Sequence, residues 1–225
     1  MTKSRYLLLL SIFATVVCVR TLPYVLGALD LTNIRQVAGF LWNFSPVTAL
    51  FLFAGTQATD RRWAFGMPLT AMAISDVLIT VLMKLTGADT QGLYAGLPAS
   101  YGAYALIVVL GAMLRKIQPQ PATSSIGAVV GYVLAAVGTG LAGEAAFFLI
   151  TNFSYWMFQS ELYPHTLSGL RDCYIAAIPF AKNGFLSTPF YSAVLFGTSV
   201  WVAHLAAASQ QPANESQAAE RALVA

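Results

Sequence analysis

Carboxylate, amide and indole side chains that fall inside or beside long apolar runs are the groups in this sequence best suited to bind a ligand. Asp76 lies within the apolar run Ala64–Met83, and a carboxylate at the bilayer centre costs about 2.5–3.5 kcal/mol on insertion scales. We therefore expect Asp76 to face protein or trapped water rather than lipid. Such a carboxylate can pair with a cation, amides supply hydrogen bonds, and an indole stacks on a ring. The candidate ligand-binding residues are Asp76, Asn43, Glu144, Asn152 and Trp156.

Each of these residues also has a structural interpretation. Asp76 could hold a buried hydrogen bond to a neighbouring helix. Asn43 and Asn152 could cap helices or bridge loops. Trp156 could belong to the aromatic belt at the lipid headgroups, and Glu144 could extend from the interface to water. The sequence leaves both interpretations open for every one of them.

Enzymatic activity is not indicated by any motif. The sequence has no G-x-x-x-x-G-K-[ST] loop, no G-x-S-x-G elbow and no H-E-x-x-H pair, which are the signatures of ATP hydrolysis and of the common hydrolases. We therefore expect no enzyme; the remaining alternative is a membrane enzyme that uses Asp76 and Glu144 as an acid–base pair, which requires the two carboxylates to lie close together. The two cysteines and two histidines do not have metal-ligand spacing, so we expect no metal and no cofactor.

The composition is typical of a membrane protein. Of 225 residues, 57% are hydrophobic and only 9% are charged, whereas soluble domains carry about 25% charged residues. The net charge of +3 is too small for a nucleic-acid-binding surface. We expect an all-α integral membrane protein of the bacterial inner membrane, a bundle of about six transmembrane helices surrounded by lipid. The runs are Tyr6–Val19 (extendable to Leu29), Val47–Ala58, Ala64–Met83, Tyr101–Leu114, Ile126–Ile150 and Tyr191–Ala208.

The placement of Lys and Arg predicts that both termini lie in the cytoplasm. The first run resembles a signal peptide but has no convincing cleavage site, so we expect it to be retained. Residues 1–208 would form one transmembrane domain, and residues 209–225 a polar, disordered tail. A break at Gly143–Glu144 would instead give seven helices and an external C-terminus. In the six-helix topology three long loops face outward, namely Arg20–Pro46, Lys84–Ser100 and Phe158–Phe190.

A stripe of small residues runs along the fifth apolar run. Small side chains at every fourth position let helix backbones approach closely. The stripe therefore predicts either packing between helices of this chain or docking of another membrane protein. Its members are Gly127, Gly131, Ala135, Thr139 and Gly143.

Three stretches taken together resemble a family of uncharacterised bacterial membrane proteins, a domain of unknown function. The resemblance covers about residues 41–197 and implies relatives without implying an activity. The stretches are NFSPVTALFLFAG at 43–55, Ser75-Asp76, and FFLITNF at 147–153, which continues through Trp156, Tyr163-Pro164-x-Thr166, Gly169-Leu170, Cys173-Tyr174 and AAIPF at 176–180.

A looser resemblance is to the S components of energy-coupling-factor transporters. This likeness rests on size, helix count and outward loops, so it is an analogy at the level of fold. It implies six helices whose outer loops close over a vitamin, with ATPases and a coupling subunit supplied by other proteins. The first helix departs from that pattern, because it offers only Ser11-x-x-x-Thr15 where S components carry alanines for docking the coupling subunit.

We therefore expect a multi-pass membrane protein that binds or takes up a small solute and has no ATPase of its own. In this hypothesis Asp76 forms the floor of a pocket, with Asn43, Glu144, Asn152 and Trp156 near its rim. The alternative is a structural or assembly protein that docks a partner through the small-residue stripe.

Overall fold

The computed structural model describes the backbone of residues 3–29, 44–58, 60–87, 96–121, 123–158 and 161–224, and the side chains of these residues except 3–5 and 210–224. This part of the chain contains six α-helices, one 3₁₀ turn (Arg115–Ile117) and no strand. The predicted all-α fold and helix count are confirmed. The helices are α1 (Lys3–Ala28), α2 (Val47–Gln57), α3 (Arg61–Leu85), α4 (Leu97–Leu114), α5 (Ile126–Phe158) and α6 (Leu167–Val224).

Five of these helices are long and apolar enough to cross a membrane, and α2 is the exception. With 11 residues it extends about 16 Å, roughly half of a ~30 Å hydrocarbon core. Every residue from Val47 to Thr56 is buried, and α2 packs against all five longer helices. A helix that is apolar on every side is stable only when protein surrounds it. The short helix is therefore the core of the bundle.

The helices α2 and α4 approach each other closely because glycines face each other at their contact. A Cβ atom added to Gly55 would collide with the carbonyl oxygen of Val108, and one added to Gly111 would collide with that of Leu52. Backbone atoms cannot yield to such a contact as a flexible side chain could. This close approach fixes the position of α2 in the core.

The helix directions alternate as the six-helix topology predicts. The rings of Tyr6 and Trp63 pack edge to face near the starts of α1 and α3, while Arg20 and Asp76 meet further along the same pair. These two helices therefore run parallel. Helices α5 and α6 form an antiparallel hairpin, because Tyr174 near the start of α6 donates to the carbonyl of Leu149 near the end of α5.

Two sequence-based expectations about loops were wrong. Arg20 was placed in an outer loop, but α1 continues past Pro23 to Ala28, as the possible extension of the first apolar run allowed. The loop Phe158–Phe190 is largely helical, because α6 already begins at Leu167. In both cases polar or proline residues suggested a loop, although a helix accommodates them. The alternative break at Gly143–Glu144 does not occur, since α5 is continuous over 33 residues.

The division of the chain at residue 208 stays a prediction. The backbone of α6 is helical through Val224, and its apolar span Leu167–Ser209 has 43 residues. At 1.5 Å per residue this span is about 64 Å long, or roughly twice the hydrocarbon thickness. Helices α5 and α6 are thus longer than one bilayer crossing requires.

Candidate functional site

A cavity of about 340 Å³ lies between the start of α2 and the hairpin of α5 and α6. Its volume is within the range of small-molecule sites, which is about 300–1,000 Å³. One wall comes from Tyr104 of α4, and the others combine hydroxyl, carboxylate, amide and aromatic groups. The lining residues are Ser45, Val47, Thr48, Tyr104, Glu144, Phe147, Phe148, Thr151, Asn152, Ala177, Phe180, Ala181, Gly184 and Ser187.

Glu144 supplies the carboxylate of this cavity. It projects from the middle of α5 toward α6 and is half-buried. The Thr188 hydroxyl donates a hydrogen bond to Glu144 Oε2 at 3.0 Å. The carboxylate fits there because α6 has a glycine opposite it, since a Cβ atom on Gly184 would collide with Glu144 Oε1. Glu144 therefore faces a packed helix and a cavity rather than extending to bulk water.

The start of α2 contributes a partial positive charge to the same cavity. A helix N-terminus carries unpaired N–H groups and a partial positive charge. The N-cap residue of α2 is Pro46, which itself provides no side-chain cap. The backbone N–H of Val47 donates to Ser45 Oγ at 3.2 Å, and Ser45, Val47 and Thr48 all line the cavity. The cavity thus contains both an anionic side chain and the positive end of a buried helix.

The remaining walls are aromatic or hold an amide. The rings of Tyr104 and Phe147 lie 4.8 Å apart between centroids, so they form a continuous apolar surface. Asn152 lines the same cavity, and its Nδ2 donates to the carbonyl of Phe148 at 2.8 Å. This bond fixes the amide on the wall of α5. Two of the predicted ligand-binding residues, Glu144 and Asn152, therefore lie together.

Asp76 does not line this cavity. Its side chain is 3% exposed, and Oδ1 lies 2.5 Å from Arg20 Nη2. The Tyr101 hydroxyl donates to the other oxygen at 2.8 Å. The expectation that Asp76 is sheltered from lipid is borne out by these contacts. Asp76 is therefore not the floor of this cavity, and a ligand-binding role for Asp76 stays a prediction.

Trp156 likewise has a structural position in this arrangement. Its indole Nε1–H donates to the carbonyl of Pro164 at 3.0 Å, and its ring packs edge to face on His165. These contacts connect the end of α5 to the chain that leads into α6. Asn43 lies outside the described residues. A ligand-binding role for Trp156 or Asn43 stays a prediction.

The small-residue stripe of α5 divides into a packed and an open part. Gly143 is buried, and a Cβ atom there would lie 3.1 Å from Ile107 Cγ1 of α4. Gly131 has no atom within 4 Å of such a position, and Gly127 has only Ser125 Oγ at 3.9 Å. Ala135 and Thr139 are half-buried. Close helix packing within the chain thus accounts for one end of the stripe only.

The sequence interpretation missed several residues of the site. Thr48 and Tyr104 were overlooked because they sit inside apolar runs. Gly184, Ser187 and Thr188 follow one another at helical spacing, three and four residues apart, which places them on one face of α6. This spacing could have indicated a helix face, but it was overlooked because the region was assigned to a loop. The described residues contain no group of three or more His, Cys, Asp or Glu side chains that could hold a metal ion.

Comparison with known protein families gives a match over most of the chain. The model of a family of unknown function, DUF6580, matches residues 1–212. No curated protein and no solved structure matches the chain. The resemblance to an uncharacterised family is thereby confirmed, and the comparisons supply no activity.

Proposed function

The chain belongs to DUF6580, a family of unknown function, and we propose that this multi-pass membrane protein binds a small solute in the cavity beside Glu144. The observation that carries the proposal is a carboxylate, the N-terminal end of a buried helix and an aromatic wall around one cavity of about 340 Å³. Convergent polar groups beside aromatic walls are typical of ligand sites. Glu144 would accept hydrogen bonds from the solute, and Tyr104 and Phe147 would contact its apolar part.

Uptake across the bilayer is the biological role that best fits such a site. A short helix that ends inside a membrane protein places its terminal dipole where a solute crosses, as in transporters with discontinuous helices. The positive-inside rule predicts that the N-terminus is in the cytoplasm and the α5–α6 turn outside, so the cavity would receive its solute from the external side. Energy would come from another protein or from a gradient, as the S-component resemblance implies.

The proposal is tested by thermal unfolding of the purified protein in detergent micelles with a library of vitamins, nucleobase-like compounds, amines and amino acids. A solute at 100-fold its Kd stabilises by about 2.7 kcal/mol, which raises the Tm of a chain this size by about 5 °C or more. We expect such a shift for at least one compound. Glu144→Gln should abolish the shift, whereas Glu161→Gln, an exposed residue between α5 and α6, should retain it. A library without any stabilising compound would refute the proposal.

A second candidate function is assembly with another membrane protein. It is favoured by the open part of the α5 stripe, where a Cβ atom on Gly131 would meet nothing within 4 Å. Small residues at an open helix face allow a partner helix to approach closely. Cysteine crosslinking in membranes distinguishes the two roles. Gly131→Cys would crosslink to a different protein if assembly is the function, while Gly143→Cys, which faces Ile107 inside the chain, is the control.

A further inference from the structure

The two ends of α2 differ in how the surrounding side chains satisfy their backbone groups. At its C-terminal end the Arg115 guanidinium donates to three carbonyl oxygens, those of Gly55, Thr56 and Ala58. A cation at a helix C-terminus neutralises the negative end of the dipole. At the N-terminal end the N-cap residue Pro46 provides no side-chain cap, and Ser45 Oγ accepts the N–H of Val47. The next N–H groups of the first turn have no side-chain acceptor among the described residues, so the positive end of α2 can bind a group that occupies the cavity.

Thr48 provides a second and independent indication. Its side chain lines the cavity, yet the residue is only 7% exposed. No hydrogen bond of its hydroxyl group occurs in the part of the chain that the structure describes, unlike Thr56 on the same helix, which donates to the carbonyl of Leu52 at 3.0 Å. The Thr48 oxygen is not among the fully buried side-chain atoms that lack a partner, so the hydroxyl group opens into the cavity. An acceptor atom of a bound solute would satisfy it.

The same cavity also contains Glu144. A solute with only an anionic group would be repelled by this carboxylate, whereas a solute with only a cationic group would make no bond to the α2 terminus or to the Thr48 hydroxyl. We infer that the solute is a small zwitterion of the amino-acid type, whose carboxylate binds at the N-terminus of α2 and Thr48 and whose ammonium group pairs with Glu144. This inference rests on the proposed function, because it assigns the chemistry of the solute that the cavity binds.

The aromatic walls define the rest of the solute. Phe147 and Phe148 from α5 and Tyr104 from α4 also line the cavity. An apolar or aromatic side chain would be buried against them, while a charged one would lose its water without gaining a partner. The solute class is therefore zwitterions with an apolar or aromatic substituent.

Matched sets of probes test the inference. Leucine, methionine, phenylalanine and tryptophan are each compared with the amine that lacks the carboxylate and with the acid that lacks the amino group. The measurement is the dissociation constant from thermal shift and calorimetry of the full-length protein. We expect at least one amino acid to bind, and its amine and acid to bind about tenfold more weakly or worse, as loss of a charged hydrogen-bonding group predicts.

Variants of α2 assign the carboxylate site. Thr48→Val should weaken the amino acid about tenfold and leave the amine unchanged. Thr48→Ser should restore binding, and Thr56→Val, the same substitution at the Arg115 end of the helix, should have no effect on affinity. The zwitterion assignment is overturned if the amine or the acid binds as tightly as the amino acid, or if no amino acid binds. A library compound without either group that loses its binding in Glu144→Gln would overturn the zwitterion while supporting the proposed cavity.

Discussion

Arg20 of α1 and Asp76 of α3 form an ion pair inside the helical bundle, with 2.5 Å between Nη2 and Oδ1 and with side chains that are 21% and 3% exposed. The two residues are 56 positions apart in sequence. Each would be costly alone in a membrane-spanning helix, because lipid cannot solvate a charge. Together, and with the hydroxyl of Tyr101, they form a closed polar cluster that joins α1, α3 and α4.

Breaking this pair should destabilise the protein strongly. Asp76→Ala leaves the guanidinium of Arg20 without its anion, and removal of one member of a buried pair costs about 3–5 kcal/mol. The free energy of unfolding in mixed detergent micelles measures this loss. The double variant Arg20→Met with Asp76→Leu should recover most of the stability, since it removes both charges and retains the volume.

The exposed pair of Arg171 and Asp172 is the control for that experiment. Its side chains are 70% and 50% exposed, and exposed pairs contribute about 0–1 kcal/mol. Asp172→Ala should therefore change the free energy of unfolding little. Equal effects of Asp76→Ala and Asp172→Ala would contradict a structural role for the buried pair.

Arg115 should stabilise the core helix through its C-terminal carbonyls. Arg115→Met removes hydrogen bonds from a charged donor to Gly55 and Thr56, and the loss should be about 1.5–3 kcal/mol. Lys116→Met at the exposed neighbouring position should be close to neutral. The free energy of unfolding measures both effects. If Lys116→Met destabilises the protein as much as Arg115→Met does, positive charge near this end of the bundle, and not the bonds to the α2 carbonyls, is what stabilises the protein.

The close approach of α2 and α4 predicts opposite results for two glycines of the same helix. Gly111→Ala places a methyl group against the carbonyl of Leu52 and should destabilise the protein by about 3 kcal/mol or prevent its folding, because backbone must move. Gly102→Ala meets no atom within 4 Å and should leave stability unchanged or raise it by up to about 1 kcal/mol. Yield of folded protein and its Tm distinguish these outcomes. Tolerance of alanine at Gly111 would contradict the packing.

Gly184 offers a way to perturb the cavity without removing its carboxylate. Gly184→Ala forces the end of the Glu144 side chain away from α6. The solute should then bind about tenfold more weakly, because its hydrogen bond to the displaced carboxylate is lost. The cost in stability should be small because the displaced atoms belong to a flexible side chain. Gly197→Ala on the same helix, with open space around it, is the control. Unchanged affinity in Gly184→Ala would place the solute elsewhere.

The sequence by itself determined the class of the protein and the environment of its charges. Hydropathy is a property of consecutive residues, so the six helices and their alternating directions follow from the order of apolar runs. The depth of Asp76 in its run was enough to predict shelter from lipid, because the cost of exposure depends on depth alone. Its partner was not predictable, since nothing in the local sequence around Arg20 indicates a contact with a residue 56 positions away.

Only the tertiary structure decided where a solute could bind. Whether Glu144 faces water, lipid or a cavity depends on how α6 approaches α5, and that approach depends on Gly184 and Thr188 rather than on Glu144. The role of α2 as the buried core, with Arg115 at one end and a cavity at the other, likewise depends on five helices packing around it. Such arrangements are sums of many weak long-range contacts, whereas the helices themselves are set by short-range patterns.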